Sequence, residues 1–176
     1  MKTIAFIVGI AAVAMFLLGY LQKKRKTILA FNVTSRFLYI VQYILLGAFS
    51  GALLDVMGTV IAVVAGKKEN RFIKKHLKAM IVITSLLTVA AGIVTSVFVT
   101  KKWYDFMPII GILLQAGAFW LDDEKIIRRV SLAGCPFWFG YNFLSGAYPS
   151  CIGDALSAVS LISSMYRYDF KKHNNK

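Results

Sequence analysis

Seven apolar runs, set apart by short basic or turn-forming blocks, leave this chain of 176 residues little else to fold with. They fill residues 3–21, 28–49, 51–66, 79–99, 103–121, 126–145 and 150–166. Most reach the roughly 17 to 25 residues a helix needs to cross a hydrocarbon layer. Hydrophobic residues make up 58% of the chain and charged residues 16%, a balance outside that of water-soluble domains. The expectation is an all-α integral membrane protein of seven transmembrane helices. A net charge of +13 could suggest nucleic acid, but the Lys and Arg lie in blocks between apolar runs, where positive charge sets membrane orientation. Nucleic acid is therefore not an expected partner, whereas the lipid bilayer is.

The stretch 28–66 would be about 58 Å long as one helix at 1.5 Å per residue, nearly twice the hydrocarbon thickness. It must fold back at Gly47-Ala48-Phe49-Ser50-Gly51, and the stretch 126–166 must do so at Ser145-Gly146-Ala147-Tyr148-Pro149-Ser150. The first run is followed by Lys23, Lys24, Arg25 and Lys26 rather than by a cleavage site, so it is expected to be a permanent helix. Seven spans with the N-terminus outside put 17 basic residues in inside segments and only Lys2, Lys101 and Lys102 outside, which favours an N-out, C-in topology.

Sliding the chain by 99 positions superposes Leu45 on Leu144, Gly47 on Gly146, Ala48 on Ala147, Asp55 on Asp154 and Val60 on Val159. The turn blocks and the aromatic pair Tyr39 and Trp138 fall in the same register, which points to an internal repeat. The predicted organisation is a first three-helix repeat at 1–66, a basic inside loop with a linker helix at 67–99, a second three-helix repeat at 100–166 and a basic cytoplasmic tail at 167–176. A single linker helix makes the two repeats parallel, as in parallel-repeat transporters.

Asp55 and Asp154 lie inside apolar runs, where an acid is costly and usually faces a cavity, an ion path or a partner. One reading makes them a proton- or cation-binding pair. The other seats each carboxylate near the interface at a helix N-terminus, which favours negative charge. Asn32, Arg36, Tyr39 and Tyr43 share one helical face and could line a cavity, or Arg36 could snorkel to the inner headgroups. Gln42, Gln115, Tyr141 and Asn142 add polar groups near the centre. Trp138 could stack on a ring-shaped solute, although aromatic side chains in membranes also serve packing and interface anchoring. Pro108 and Pro136 are expected to kink their helices, either as static bends or as hinges. Their counterparts in the first half are Gly9 and Phe37.

Several stretches resemble the YgjV family of bacterial inner-membrane proteins: Gln22-Lys23-Lys24-Arg25-Lys26, Leu45-Leu46-Gly47, Met107-Pro108-Ile109-Ile110-Gly111, and Gly146 through Asp154 to Arg167. The resemblance spans nearly the whole chain and departs from the family pattern at Gly58 to Ile61, where relatives carry a polar Asn and Arg. It implies a multi-pass location in the bacterial cytoplasmic membrane, an arrangement similar to the PQ-loop, SWEET and SemiSWEET transporters, and a transport role.

No enzyme is expected. His76 and His173 stand in basic segments away from any cysteine or carboxylate cluster, and no phosphate loop or serine nucleophile motif is present. No metal site and no cofactor are expected either, and Cys135 and Cys151 read as buried small residues. The function expected is a transporter or facilitator of a small polar solute, working by rocking of the two three-helix halves. The alternative is a non-transporting membrane scaffold that binds a partner, a second copy of the chain among them, through Gly9, Gly47, Gly51, Gly92 and Gly111. A central cavity lined by Asp55, Asp154, Gln42, Arg36 and Asn142 separates the two, because a packed scaffold would fill that place with apolar side chains.

Overall fold

The computed structural model describes residues 1–20, 25–65, 67 and 70–170. Gln22, Lys23 and Lys24 of the first basic block and the tail from Lys171 onward, His173 included, lie outside the described residues. Among those described, the α-helices are α1 (Lys2–Tyr20), α2 (Arg25–Leu45), α3 (Phe49–Ala65), α4 (Arg71–Lys75), α5 (Leu77–Val94), α6 (Met107–Phe119), α7 (Glu124–Ser145) and α8 (Tyr148–Met165). The long helices occupy the apolar runs. The expected basic loop after residue 66 contains an additional short helix, α4, capped by Asn70, whose side chain accepts from the Phe72 amide at 3.0 Å. Arg25 and Lys26, expected in a loop, form the first turn of α2.

The stretch Leu77–Thr100 is long and apolar enough to cross a membrane by itself, while Lys2–Leu18, Val33–Leu45, Phe49–Ala65 and Trp103–Phe119 are apolar but shorter. The end of α5 widens into a π-helical turn over Thr95–Thr100. Its hydroxyls bond back along the helix: Thr95 Oγ1 to the Ala91 and Gly92 carbonyls at 2.9 and 3.0 Å, and Ser96 Oγ to the Gly92 carbonyl at 2.7 Å. Such back-bonding competes with the ordinary helical ladder.

Both expected hairpin breaks close in the same way. Gly47 and Gly146 take left-handed backbone angles, φ +68° and +79°. The following amides, Ala48 and Ala147, donate to the carbonyls of Tyr43 and Asn142 at 2.8 and 2.9 Å. The glycine amides themselves donate to Ile44 and Phe143 at 3.1 and 3.3 Å, which completes a Schellman motif at each turn. The turn residues thereby fix where Tyr43 and Asn142 stand on their helices.

Helix α1 packs against α2 and α8, and α6 packs against α7 and α3. Helices α2 and α3 pack together, as do α7 and α8, and α5 lies against α3 and α6. The surface is apolar: Ile7 of α1, Leu86 of α5 and Val159 of α8 are each more than half exposed. Ser35, Gln42, Ser50, Asp105, Asn142 and Ser150 are buried. That inversion suits a lipid surround, in which exposed hydrocarbon carries no penalty and polar groups must find partners inside the protein.

After α8 the chain makes a π-helical turn, Tyr166–Phe170, that returns Asp169 to the start of α7. Asp169 takes hydrogen bonds from the Arg128 guanidinium, which also pairs with Glu124 at 3.6 Å. The Arg128 hydrogen bond, aided by the charges of Arg128, Lys125 and Arg129, holds the Asp169 carboxyl below its usual value of 3.8. A lowered folded-state value means that the contact stabilises the docked turn above about pH 4 and is lost as the pH falls through the lowered value. Hydrogen exchange over Tyr166–Phe170 is therefore expected to rise below about pH 4, and Asp169→Asn to show the same rise at neutral pH. Gly146→Ala is expected to cost about 1 kcal/mol in detergent unfolding, with Gly146→Asn costing less, because no side-chain atom crowds that position and only the left-handed backbone is at stake.

Candidate solute site

A cavity of about 130 Å³ lies between the first three and the last three long helices. Its wall carries Ser35, Arg36, Tyr39 and Tyr43 from α2, Asp55 from α3, Trp138 and Asn142 from α7, and Ser150, Gly153, Asp154 and Ser157 from α8. Phe16 of α1 and Gln115 of α6 complete it. Five of the six expected path residues, Asp55, Asp154, Arg36, Asn142 and Trp138, meet here. Gln42 stands behind the wall, fully buried, where its Oε1 accepts from the Ser150 hydroxyl at 2.9 Å. The side chain of Asn32 lies outside the described residues.

Arg36 turns into the cavity instead of reaching for headgroups: Nη1 donates to Asp55 Oδ1 at 2.9 Å. Both aspartates stand further into their helices than expected. With α3 starting at Phe49 and α8 at Tyr148, each carboxylate is about 9 Å along the axis from the helix start, past the first turn in which the helix dipole acts. Asp154 is held differently from Asp55. Asn142 Nδ2 donates to Asp154 Oδ2 at 2.7 Å, while Asn142 Oδ1 accepts from the Tyr43 hydroxyl at 2.8 Å. The carboxylate can only accept, so it draws the NH₂ of Asn142 and leaves the amide oxygen to the Tyr43 hydroxyl.

Near the hairpins, hydrogen bonds join α1–α3 to α6–α8. Besides Tyr43 to Asn142 and Ser150 to Gln42, the buried Tyr141 hydroxyl donates to the Ala48 carbonyl at 3.2 Å and accepts from the Gly51 amide at 2.8 Å. The rings of Tyr43, Tyr104 and Trp138 surround Tyr141 with centroids 6.1 to 6.4 Å away. Gly51 makes this approach possible, because a Cβ there would stand 2.5 Å from Tyr141 Cε1. The other small residues considered as partner faces are also used within the chain: Gly9 lies against Gln42, Gly92 against Ile109 and Gly111 against Trp138, each too close for a Cβ. Gly47 serves its turn.

Pro108 occupies the second position of α6, after a 3₁₀ turn at Trp103–Phe106, so its missing amide falls among those a helix leaves unbonded at its start. An interior kink from this proline is accordingly not required. Asp105 anchors the turn, accepting from the Thr100 hydroxyl and, at 3.3 Å, from the Lys102 amide. Pro136 is inside α7 and borders an apolar groove of about 340 Å³ between α7 and α8, with Leu132, Phe139, Ala155 and Asp154.

Ser35, Ser150 and Ser157 were not anticipated. The two on α8 stand four residues before and three after Asp154, the helical spacing of a shared face, so the periodicity that grouped the α2 residues would have found them. Among the described residues no group of three or more His, Cys, Asp or Glu side chains could hold a metal ion.

A family model matches residues 3–172, nearly the whole chain. This protein belongs to the YgjV family. The family is described as a bacterial inner membrane protein, which agrees with the apolar exterior and the inward-facing polar side chains. No curated protein and no solved structure matches the chain.

Breaking the Arg36–Asp55 pair on one side is expected to cost more than removing both charges. Arg36→Met should destabilise by about 2 kcal/mol, below the 3–5 of a fully buried pair because the Arg36 side chain is 30% exposed. Arg36→Met with Asp55→Asn should recover most of that loss, as read from chemical unfolding in detergent.

Proposed function

We propose that this YgjV-family protein is a multi-pass transporter or facilitator of a small polar solute, with the path between two parallel three-helix halves, α1–α3 and α6–α8, joined by α5. The observation that carries this reading is the cavity itself: a membrane protein has no structural need to line an internal space with Arg36, Asp55, Asn142 and Asp154, each of which is costly to bury. The arrangement would be SWEET-like, with the solute site at the interface between the repeats.

The inter-half bonds support a two-fold relation between the halves. Tyr43 and Asn142 are counterparts at the 99-residue offset and bond to each other, as residues at a symmetry axis do. Gln42 with Ser150 and Tyr141 with Gly51 are counterpart pairs at the same offset. The packing of α1 on α8 matches that of α6 on α3.

In the proposed N-out, C-in topology both hairpins face outward, so the bonded end serves as the outer gate in this reading. Arg36, Gln115 and Ser157 also line the cavity and would lie on its cytoplasmic side in that topology. Rocking would break the Tyr43–Asn142 and Ser150–Gln42 bonds and open the outer side. The scaffold reading draws less support, because Gly9, Gly51, Gly92 and Gly111 are occupied within the chain. No catalytic role, cofactor or metal is part of the proposal.

The test is thiol accessibility of Asp55→Cys and Asp154→Cys in a background lacking Cys135 and Cys151, in intact membranes, with a small aqueous reagent applied from each side. Labelling of both positions from the cytoplasmic side is expected. Protection of both from either side would place the aspartates in a dry interior and shift support to the scaffold.

A further inference from the structure

We propose that the solute held in this cavity is a compact organic cation, an amine in its ammonium form, with Asp154 as its anchoring carboxylate. The inference rests on the transport reading of the same cavity and adds the chemical class of the ligand.

Charge balance is the first ground. Among the described residues the wall carries one cation, Arg36, and two acids, Asp55 and Asp154. Arg36 is committed to Asp55 at 2.9 Å, so that pair is internally neutralised. Asp154 receives a neutral amide donor from Asn142, and among the described residues no cation is bonded to it. The other end of that amide accepts from the Tyr43 hydroxyl, and an amide donor orients the carboxylate without cancelling its charge. A carboxylate without a charged partner is costly inside a membrane protein, and an ammonium group, which brings both charge and protons, relieves that cost.

The kind of cation follows from the rest of the wall. Tyr39, Tyr43, Trp138 and Phe16 supply aromatic surface, which attracts an ammonium group through the ring quadrupole and accommodates its carbon skeleton. A divalent metal ion would need six or more oxygen ligands or a cluster of His, Cys and acidic groups, and the described residues hold no such cluster. Among the described residues the one cation on the wall is already paired, which leaves an anion without a partner, and a neutral polyol brings no charge to Asp154. Size sets the limit. A space of about 130 Å³ is slightly below the 150 Å³ cavity that admits benzene, so the ligand has about six non-hydrogen atoms or fewer. The serines at 150 and 157 stand on the Asp154 face of α8, where hydroxyls can take the remaining ammonium protons.

The probes are butylammonium, 1-butanol and butyrate, titrated into the full-length protein in lipid nanodiscs and followed by calorimetry. Butylammonium is expected to bind about tenfold or more tightly than the alcohol, with no binding of butyrate. Asp154→Asn is expected to remove that preference and Asp154→Glu to keep it. Equal binding of amine and alcohol by the unmodified protein would overturn the assignment whether or not the variants fold, and so would an amine preference that survives in folded Asp154→Asn. If the alcohol or butyrate is preferred while both aspartate positions remain open to thiol reagent, the ammonium assignment fails and the transport reading stands. If those positions are sealed, the transport reading fails, and this inference with it.

Discussion

A polar side chain in hydrocarbon has no water to bond with, so each one within the apolar helices must find its partner in the protein. The Tyr43–Asn142 hydrogen bond is where that constraint organises the molecule. It joins α2 to α7, shares its amide with Asp154, and stands beside the Ser150–Gln42 bond and the two bonds of the Tyr141 hydroxyl. Removing Tyr43 or Asn142 from this set would leave the other's buried polar group unsatisfied, at a cost of about 1–3 kcal/mol. With hydrocarbon on the outside of the helices as well as between them, apolar area gives little drive for association. Bonds of this kind and close packing therefore carry most of the specificity.

Close packing in turn depends on glycine. Where Tyr141 reaches Gly51, Trp138 reaches Gly111 and Tyr39 reaches Gly153, a side chain on one helix occupies the space that a Cβ on its neighbour would fill. Large aromatic groups can then sit at helix crossings without forcing the backbones apart. The hairpin glycines do a different task, since Gly47 and Gly146 let the chain reverse within a few residues while keeping the last carbonyls of α2 and α7 bonded.

The two hairpins close alike, while the acids that follow them differ in their partners. Asp55 and Asp154 are counterparts, but the residue that neutralises Asp55, Arg36, has Cys135 as its counterpart in the second half. Asp55 is thus paired with a cation and Asp154 with the neutral amide of Asn142.

Much of this was legible in the residues alone. The length of the apolar runs fixed where the helices lie, Gly47 and Gly146 marked the reversals, and the isolated charges at Arg36, Asp55 and Asp154 singled out the polar interior. Helical spacing also grouped Arg36, Tyr39 and Tyr43 correctly. The short helix α4, the π-helical ends and the first-turn position of Pro108 were not legible, since they depend on local hydroxyl and carbonyl bonds that no periodicity records. Nor could the sequence tell that Arg36 pairs with Asp55 while Asn142 holds Asp154, or that Gln42 sits behind the wall. A sequence determines which residues share a face of one helix, because the turn of 3.6 residues is fixed. Which faces meet is decided by how each helix rotates and crosses its neighbours, and that is settled only when all the side chains are packed together.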